Sequence, residues 1–179
     1  MSDDRLEGVT VRPMTEDDWP AVRAIFEAGI ASGDATFETT PPTWEQFDAA
    51  HRPDLRLVAT VDGKVAGWVA AVPYSARAVY RGVAEESIYV DPSQQGRGVG
   101  RALLKAMIAA SERAGVWTLQ AGVLPENGAS VTLHRALGFR EVGTRERIGW
   151  HRGRWRDVIV FERRSALADR PDGGEALAP

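Results

Sequence analysis

The segment Ile88-Tyr89-Val90-Asp91-Pro92-Ser93-Gln94-Gln95-Gly96-Arg97-Gly98-Val99-Gly100-Arg101 runs from an apolar strand through a glycine-rich turn into a helix. Such a turn aims several backbone N–H groups and the positive end of a helix at one point, which makes an anion site. A side chain on these glycines would hold the backbone away from a phosphate. The spacing Gln95-x-x-Gly98-x-Gly100 is not a P-loop, since no Lys-Ser/Thr follows, and no Gly-x-Gly-x-x-Gly can be read. Arg97 and Arg101 offer charge-assisted contacts to a phosphate. Two groups suit proton handling: Glu85, on the strand that enters the turn, and His134, whose ordinary pKa lies close to neutral pH.

These groups need a scaffold. Val9–Arg12 reads as a first strand, and Thr15 as the cap of a helix carrying Val22, Ile25, Phe26 and Ile30 at helical spacing. Gly33 loosens its end, and Thr43 caps a second helix after Pro41-Pro42. Arg56–Val61 and Lys64–Val72 alternate around Asp62-Gly63, a strong hairpin signal. Val83–Val90 is the strand that feeds the turn. Strand period puts Glu85, Ser87 and Tyr89 on one face and Glu86, Ile88 and Val90 on the other. A helix over Val99–Ala114, a strand over Trp117–Val123 and a helix from Pro125-Glu126-Asn127 to Leu137 follow. Arg140–Ile148 and Arg154–Glu162 pair around His151-Arg152-Gly153. The expected class is α+β, with a mixed, mostly antiparallel sheet flanked by helices. Residues 1–164 form one domain, and Ser165–Pro179, rich in Ala, Asp, Gly and Pro, is expected to be a mobile tail.

Composition narrows the function. The 179 residues carry a net charge of −3 without a basic block, so nucleic-acid binding has little support. No apolar run suits a membrane span, and the polar, acidic start suggests a cytoplasmic protein. With no cysteine, disulfides, thiolate metal sites and a thiol nucleophile are excluded. The three histidines lack metal-ligand spacing, so no metal is expected. His51 and His151 fall at turns and are expected to be exposed.

The turn resembles the acetyl-CoA pyrophosphate loop of the GNAT N-acetyltransferases. Asn127-Gly-Ala-Ser130-Val-Thr-Leu-His134-Arg-Ala-Leu-Gly138-Phe139 is similar to a second GNAT segment, with His134 where many members carry tyrosine. Within that family the chain looks like the phosphinothricin and methionine sulfoximine N-acetyltransferase group. The likeness extends over Ala35-Thr36-Phe37-Glu38, Arg77-x-x-Tyr80, Glu85-x-Ser87-Ile88-Tyr89-Val90 and Trp155-Arg156-Asp157-Val158, roughly residues 9–163.

The resemblance implies acetyl-CoA as cosubstrate. Its pantetheine arm would lie between splayed strands, held by Ile88, Tyr89, Val90 and Asn127, with the pyrophosphate on Gln95, Gly96, Arg97, Gly98, Val99, Gly100 and Arg101. It implies Glu85 and His134 as catalytic residues. Phe37, Arg77, Tyr80, Ser87 and Tyr89 would bind a small-molecule amine acceptor. Ser75 stands where herbicide-detoxifying members carry lysine, which favours a methionine sulfone or sulfoximine. Trp150 and Trp155 would serve a homodimer contact. Independently of any family, an amine of pKa near 10 is only about one part in a thousand free at pH 7, a cost of roughly 4 kcal/mol. A carboxylate such as Glu85 can take that proton. The expected reaction is direct attack by the free amine in a ternary complex, with strand N–H groups stabilising the developing oxyanion. Two alternatives stay open: a GNAT acting on another amine (aminoglycoside, polyamine or peptide N-terminus), and a non-catalytic acyl-CoA sensor.

Overall fold

The structure is a computed structural model and describes residues 8–169. Seven strands form one sheet in the order β1-β2-β3-β4-β5-β7-β6. They are β1 (Val9–Pro13), β2 (Arg56–Val61), β3 (Lys64–Pro73), β4 (Val83–Val90), β5 (Thr118–Val123), β6 (Arg140–His151) and β7 (Arg154–Arg164). The helices are α1 (Trp19–Ser32), α2 (Trp44–Ala50), α3 (Val99–Arg113) and α4 (Gly128–Ala136).

Local chemistry accounts for most boundaries. Thr43 caps α2 by accepting from the Gln46 N–H, while Gln46 returns a bond to the Thr43 N–H at 3.0 Å. Gly33 closes α1 in the left-handed region that glycine adopts without strain. Asp62 and Gly63 both take positive φ, the mirror-image turn that suits the twist of the β2–β3 hairpin. Asn127 caps α4 by accepting from the Ser130 N–H at 3.2 Å.

Helices cover both faces of the sheet. On one face Leu103, Leu104 and Met107 of α3 and Val131 of α4 pack with Val69, Leu119 and Phe161. On the other, Val22, Phe26 and Ile30 of α1 and Phe47 of α2 pack on Val58 and Trp68. Burial of these apolar side chains is the main force holding the layers.

The site is positioned by one parallel strand pair. β4 and β5 align only over Val83↔Thr118, Ala84↔Leu119 and Glu85↔Gln120, and every other neighbouring pair is antiparallel. Beyond Glu85 the two strands diverge, leaving the rest of β4 paired on the β3 side alone. The α+β class with splayed strands is what the chain adopts.

Three details differ from the sequence reading. A 3-10 turn over Glu16–Asp18 precedes α1, with Asp18 accepting from the Thr15 N–H at 2.9 Å. The last hairpin is longer than its polar pattern suggests: β6 continues to His151 because register shifts near Gly143 and Gly149 absorb the irregular residues. The expected tail begins with a further turn, Ala166–Asp169, after the Ser165 N–H donates to the Trp117 carbonyl at 3.0 Å. Residues 170–179 lie outside the described residues.

Candidate active site

The open side of β4 follows from its register. The Tyr74 N–H donates to the Val83 carbonyl at 3.1 Å and the Asp91 N–H to the Ala66 carbonyl at 2.9 Å, at the two ends of one β3–β4 ladder. In an antiparallel ladder alternate residues bond the same neighbour, so Glu85, Ser87 and Tyr89 turn their main chain to β3. Glu86, Ile88 and Val90 therefore present N–H and C=O groups to the side that β5 has left. An extended chain with amide groups can pair there as an added strand.

The glycine turn sits at the wide end of this gap. Gly96 and Gly98 have φ of 76° and 80°, and Gly98 is the residue from which α3 starts. The Ala102 N–H donates to the Gly98 carbonyl, whereas Val99, Gly100 and Arg101 supply N–H groups of the first turn, which have no partner within the helix. Nothing lies within 4 Å of a side-chain position at Gly96. Gln95 and Arg97 are exposed, and the Arg97 guanidinium donates to Gln94 Oε1 at 2.8 Å. The turn thus fits a pyrophosphate: free donors, a helix dipole and close approach. Gly98→Val forces a branched side chain into the left-handed region, which costs about 1–3 kcal/mol. We expect it to raise KM for acetyl-CoA roughly tenfold or more while the acceptor KM stays unchanged, read by steady-state kinetics in both substrates.

At the narrow end, a groove of about 40 Å³ is lined by Glu86, Ile88, Val123, Asn127, Ser130 and His134, among others. His134 is 1 % exposed and Glu86 3 %. His134 Nδ1 lies 2.7 Å from the Ser130 carbonyl, and Nε2 lies 2.6 Å from Glu86 Oε1. Burial pulls the His134 pKa down, but the Glu86 hydrogen bond and charge, with the Ser130 carbonyl, outweigh it and hold the ring above the ordinary histidine value. Glu86 is the residue that sequence reasoning missed. Strand period sets it on the face of Ile88 and Val90, and that face of β4 is the one α4 covers. The only signal for it was the strand period.

On the opposite face of β4 lies a larger cavity of about 410 Å³. Phe26, Phe47, Trp68 and Tyr89 form its apolar wall, and Thr36, Glu38, Thr40, Gln46, His51 and Ser87 its polar one. The Tyr89 hydroxyl is pushed up to about 12, chiefly by burial, so it stays a neutral hydrogen-bond donor or acceptor. The Trp68 indole N–H is buried with no hydrogen-bond partner among the described residues. Both Ser87 and Tyr89 also line the groove, so the two spaces meet across β4. Glu85 shares the face of Ser87 and Tyr89. It is half-buried, and its Oε2 accepts from Gln120 Nε2 at 2.9 Å.

Three expected acceptor residues are not on the lining of this cavity. Phe37 turns the other way: its ring packs 5.6 Å from His151 and fills the space beside Gly149. His151, expected to be exposed, is buried beneath it. Arg77 and Tyr80 sit on the loop before β4, with the guanidinium 5.7 Å from the Tyr80 ring and Tyr80 edge-on to Tyr74.

The loop that carries Thr36–Pro42 is anchored from the last hairpin, a feature not visible in the motifs. Arg156, 2 % exposed, donates to the Gly33 carbonyl at 3.0 Å and to Asp34 Oδ1 at 2.8 Å. The same guanidinium lies 3.2 Å from Glu126, beside the Asn127 cap. Arg152 donates to the Ile30 carbonyl at 2.6 Å. Both arginines cap the last carbonyls of α1, where the helix dipole favours cations.

Among the described residues no cluster of His, Asp or Glu suits a metal ion, and no helix is long and apolar enough to cross a membrane.

A sheet splayed at its one parallel pair, with a glycine turn at the open end, defines an acyltransferase scaffold of the GNAT type. The model of the acetyltransferase (GNAT) family matches residues 16–139, more than half of the chain, and the chain belongs to that family. It is 37% identical over 161 residues to a phosphinothricin N-acetyltransferase of Alcaligenes faecalis, covering 86% of this chain and 81% of that one. It is 31% identical over 161 residues to an L-methionine sulfoximine/L-methionine sulfone acetyltransferase of Pseudomonas paraeruginosa, covering 86% and 92%. A GNAT superfamily phosphinothricin acetyltransferase from Sinorhizobium meliloti, solved in complex with acetyl-CoA, superposes with a TM-score of 0.80 at 30% identity, covering 88% of each chain.

Proposed function

We propose that the chain transfers the acetyl group of acetyl-CoA to the amine of a small amino-acid analogue, of the phosphinothricin, methionine sulfoximine or methionine sulfone type, in a ternary complex. The observation that carries this reading is the meeting of two spaces across Ser87 and Tyr89: a strand gap ending in an anion turn, and a cavity large enough for a small acceptor. Acetyl-CoA supplies an activated acetyl thioester. Ile88, Val90 and Asn127 hold its arm, and Gln95–Arg101 its pyrophosphate. Glu85 takes the amine proton, and His134 supplies the proton that sulfur needs on leaving. Arg77 and Tyr80, on the loop that leads into β4, stand outside the acceptor cavity, and Phe37 braces the loop between α1 and α2.

The cavity supports a preference among acceptors. Among its lining residues Glu38 is the one carboxylate, and there is no Lys or Arg. A phosphinate is anionic at neutral pH, whereas sulfone and sulfoximine heads are neutral. The Trp68 N–H and the Ser87 hydroxyl can donate to their oxygens. Free-thiol release from acetyl-CoA should therefore give kcat/KM at least about tenfold higher for methionine sulfone and sulfoximine than for phosphinothricin, a difference near 1.4 kcal/mol. Plain methionine, an aminoglycoside and an alanyl peptide serve as controls. Turnover on the aminoglycoside or peptide alone would overturn the acceptor assignment, and silence on every acceptor would favour a sensor.

The same reading includes a homodimer through β6. This edge strand exposes Val142, Ile148 and Trp150, and Trp155 lies beside Trp150 at 5.1 Å. An exposed edge strand that carries large apolar side chains can pair with another chain. The proposed location is the cytoplasm, where acetyl-CoA is available and a chain without cysteine is indifferent to reducing conditions.

A further inference from the structure

The Glu86 carboxylate is buried, yet the reaction as described gives it no task. A buried carboxylate is costly unless it is paired. Its partner is His134, and the hydrogen-bonding atoms fix how many protons the pair holds. The Ser130 carbonyl can only accept, so the hydrogen at 2.7 Å belongs to His134 Nδ1. A neutral ring would then offer Nε2 as a bare acceptor. Facing the carboxylate oxygen at 2.6 Å, Nε2 needs a proton between the two atoms. Around the ring, Phe139 at 5.0 Å, just before β6, and Phe161 at 5.6 Å, from β7, are uncharged. From α4 the contact is Ser130, and from β4 it is Glu86. Glu85, on the other face of β4, is bonded to Gln120.

We propose that Glu86 is a positioning residue that keeps His134 charged, with a hydrogen on both ring nitrogens, at the narrow end of the β4–β5 gap. The inference rests on the acetyl-transfer reading and adds to it the source of the proton. When the amine nitrogen bonds to the acetyl carbon, the carbon–sulfur bond breaks and the electron pair goes to sulfur. The amine proton goes to Glu85. His134 gives its Nε2 proton to sulfur and keeps the Nδ1 hydrogen on Ser130. Glu85 returns its proton to solvent, and the Glu86–His134 pair takes one back.

Histidine ring nitrogens read by ¹⁵N NMR against pH test this without relying on turnover. In the wild type the His134 ring should stay doubly protonated above the ordinary histidine range, because a raised pKa keeps the charged form to higher pH. Glu86→Gln keeps the size but removes the charge, so burial should then dominate and the ring should titrate below that range. In the same variant the alkaline limb of the kcat profile should move to lower pH. At pH 8 kcat should fall about 10- to 100-fold with KM for acetyl-CoA changed less than about twofold. A wild-type His134 that is neutral at pH 7 overturns the inference, as does a Glu86→Gln enzyme with the wild-type profile. Absence of thiol release by the wild type with every acceptor would instead sink the acetyl-transfer reading, and the ring titration would still decide whether Glu86 sets the charge of His134.

Discussion

Glu85→Gln should lower kcat for acetyl transfer about 10²- to 10⁴-fold at neutral pH while the KM values move less than about threefold, the mark of a group that acts in the transition state. Glu85 stands on the face of β4 that also carries Ser87 and Tyr89, both of which line the acceptor cavity. It is half-buried, and Gln120 holds one oxygen while the other has no side-chain partner among the described residues. Glutamine keeps the size and can still accept from Gln120, so the fold should be undisturbed and the loss specific to proton removal. The deficit should shrink about tenfold per pH unit as the bulk pH approaches that of a free amine, near 10, because the acceptor then arrives deprotonated. Glu86 does not substitute: it lies across the strand and is committed to His134 at 2.6 Å. A rate–pH profile of Glu85→Gln that overlays the wild type would move the base elsewhere.

How far the sequence carried this account depends on the range of each interaction. The glycine turn, the Asp62-Gly63 hairpin, the Thr43 cap and the Asn127 cap are set by a few consecutive residues, and each is found where its local chemistry puts it. Strand period also separated Glu85 from Glu86 correctly. It could not say which face would be covered, because that depends on where α4 lands. Glu86 and His134 are 48 residues apart, and neither position signals the other. Phe37 fails for a similar reason: its ring goes to the hydrophobic space over His151 and beside Gly149, 112 residues further on, which a local reading treats as a turn. Arg156 is legible only as part of the Trp155-Arg156-Asp157-Val158 likeness, which names no partner for it. Its burial comes from three groups, the Gly33 carbonyl, Asp34 and Glu126, that only the tertiary fold assembles.

Arg156→Met should destabilise the protein by about 2–3 kcal/mol. Breaking a buried ion pair typically costs about 3–5 kcal/mol, and here both carboxylates keep part of their hydration. Asp34 is 44 % exposed and Glu126 39 %, so water can replace the lost guanidinium at each. The Gly33 carbonyl loses its donor, and the methionine stem keeps most of the packing. For a domain of this size the loss corresponds to a fall in Tm of roughly 5–10 °C, measurable by calorimetry. The functional effect should be asymmetric. Arg156 holds the end of α1, and the chain from there to Pro42 supplies Thr36, Glu38, Thr40 and Pro41 to the acceptor cavity. None of its bonds reaches the glycine turn, and Asn127, next to Glu126, is held by its own bond from the Ser130 N–H. KM for the acceptor should therefore rise several-fold while KM for acetyl-CoA stays within about twofold, since only the interactions with one substrate are disturbed. Equal rises in both would mean that the arginine supports the sheet as a whole. A stability loss with neither KM changed would mean that Arg152, through its bond to the Ile30 carbonyl, holds the loop in place without it.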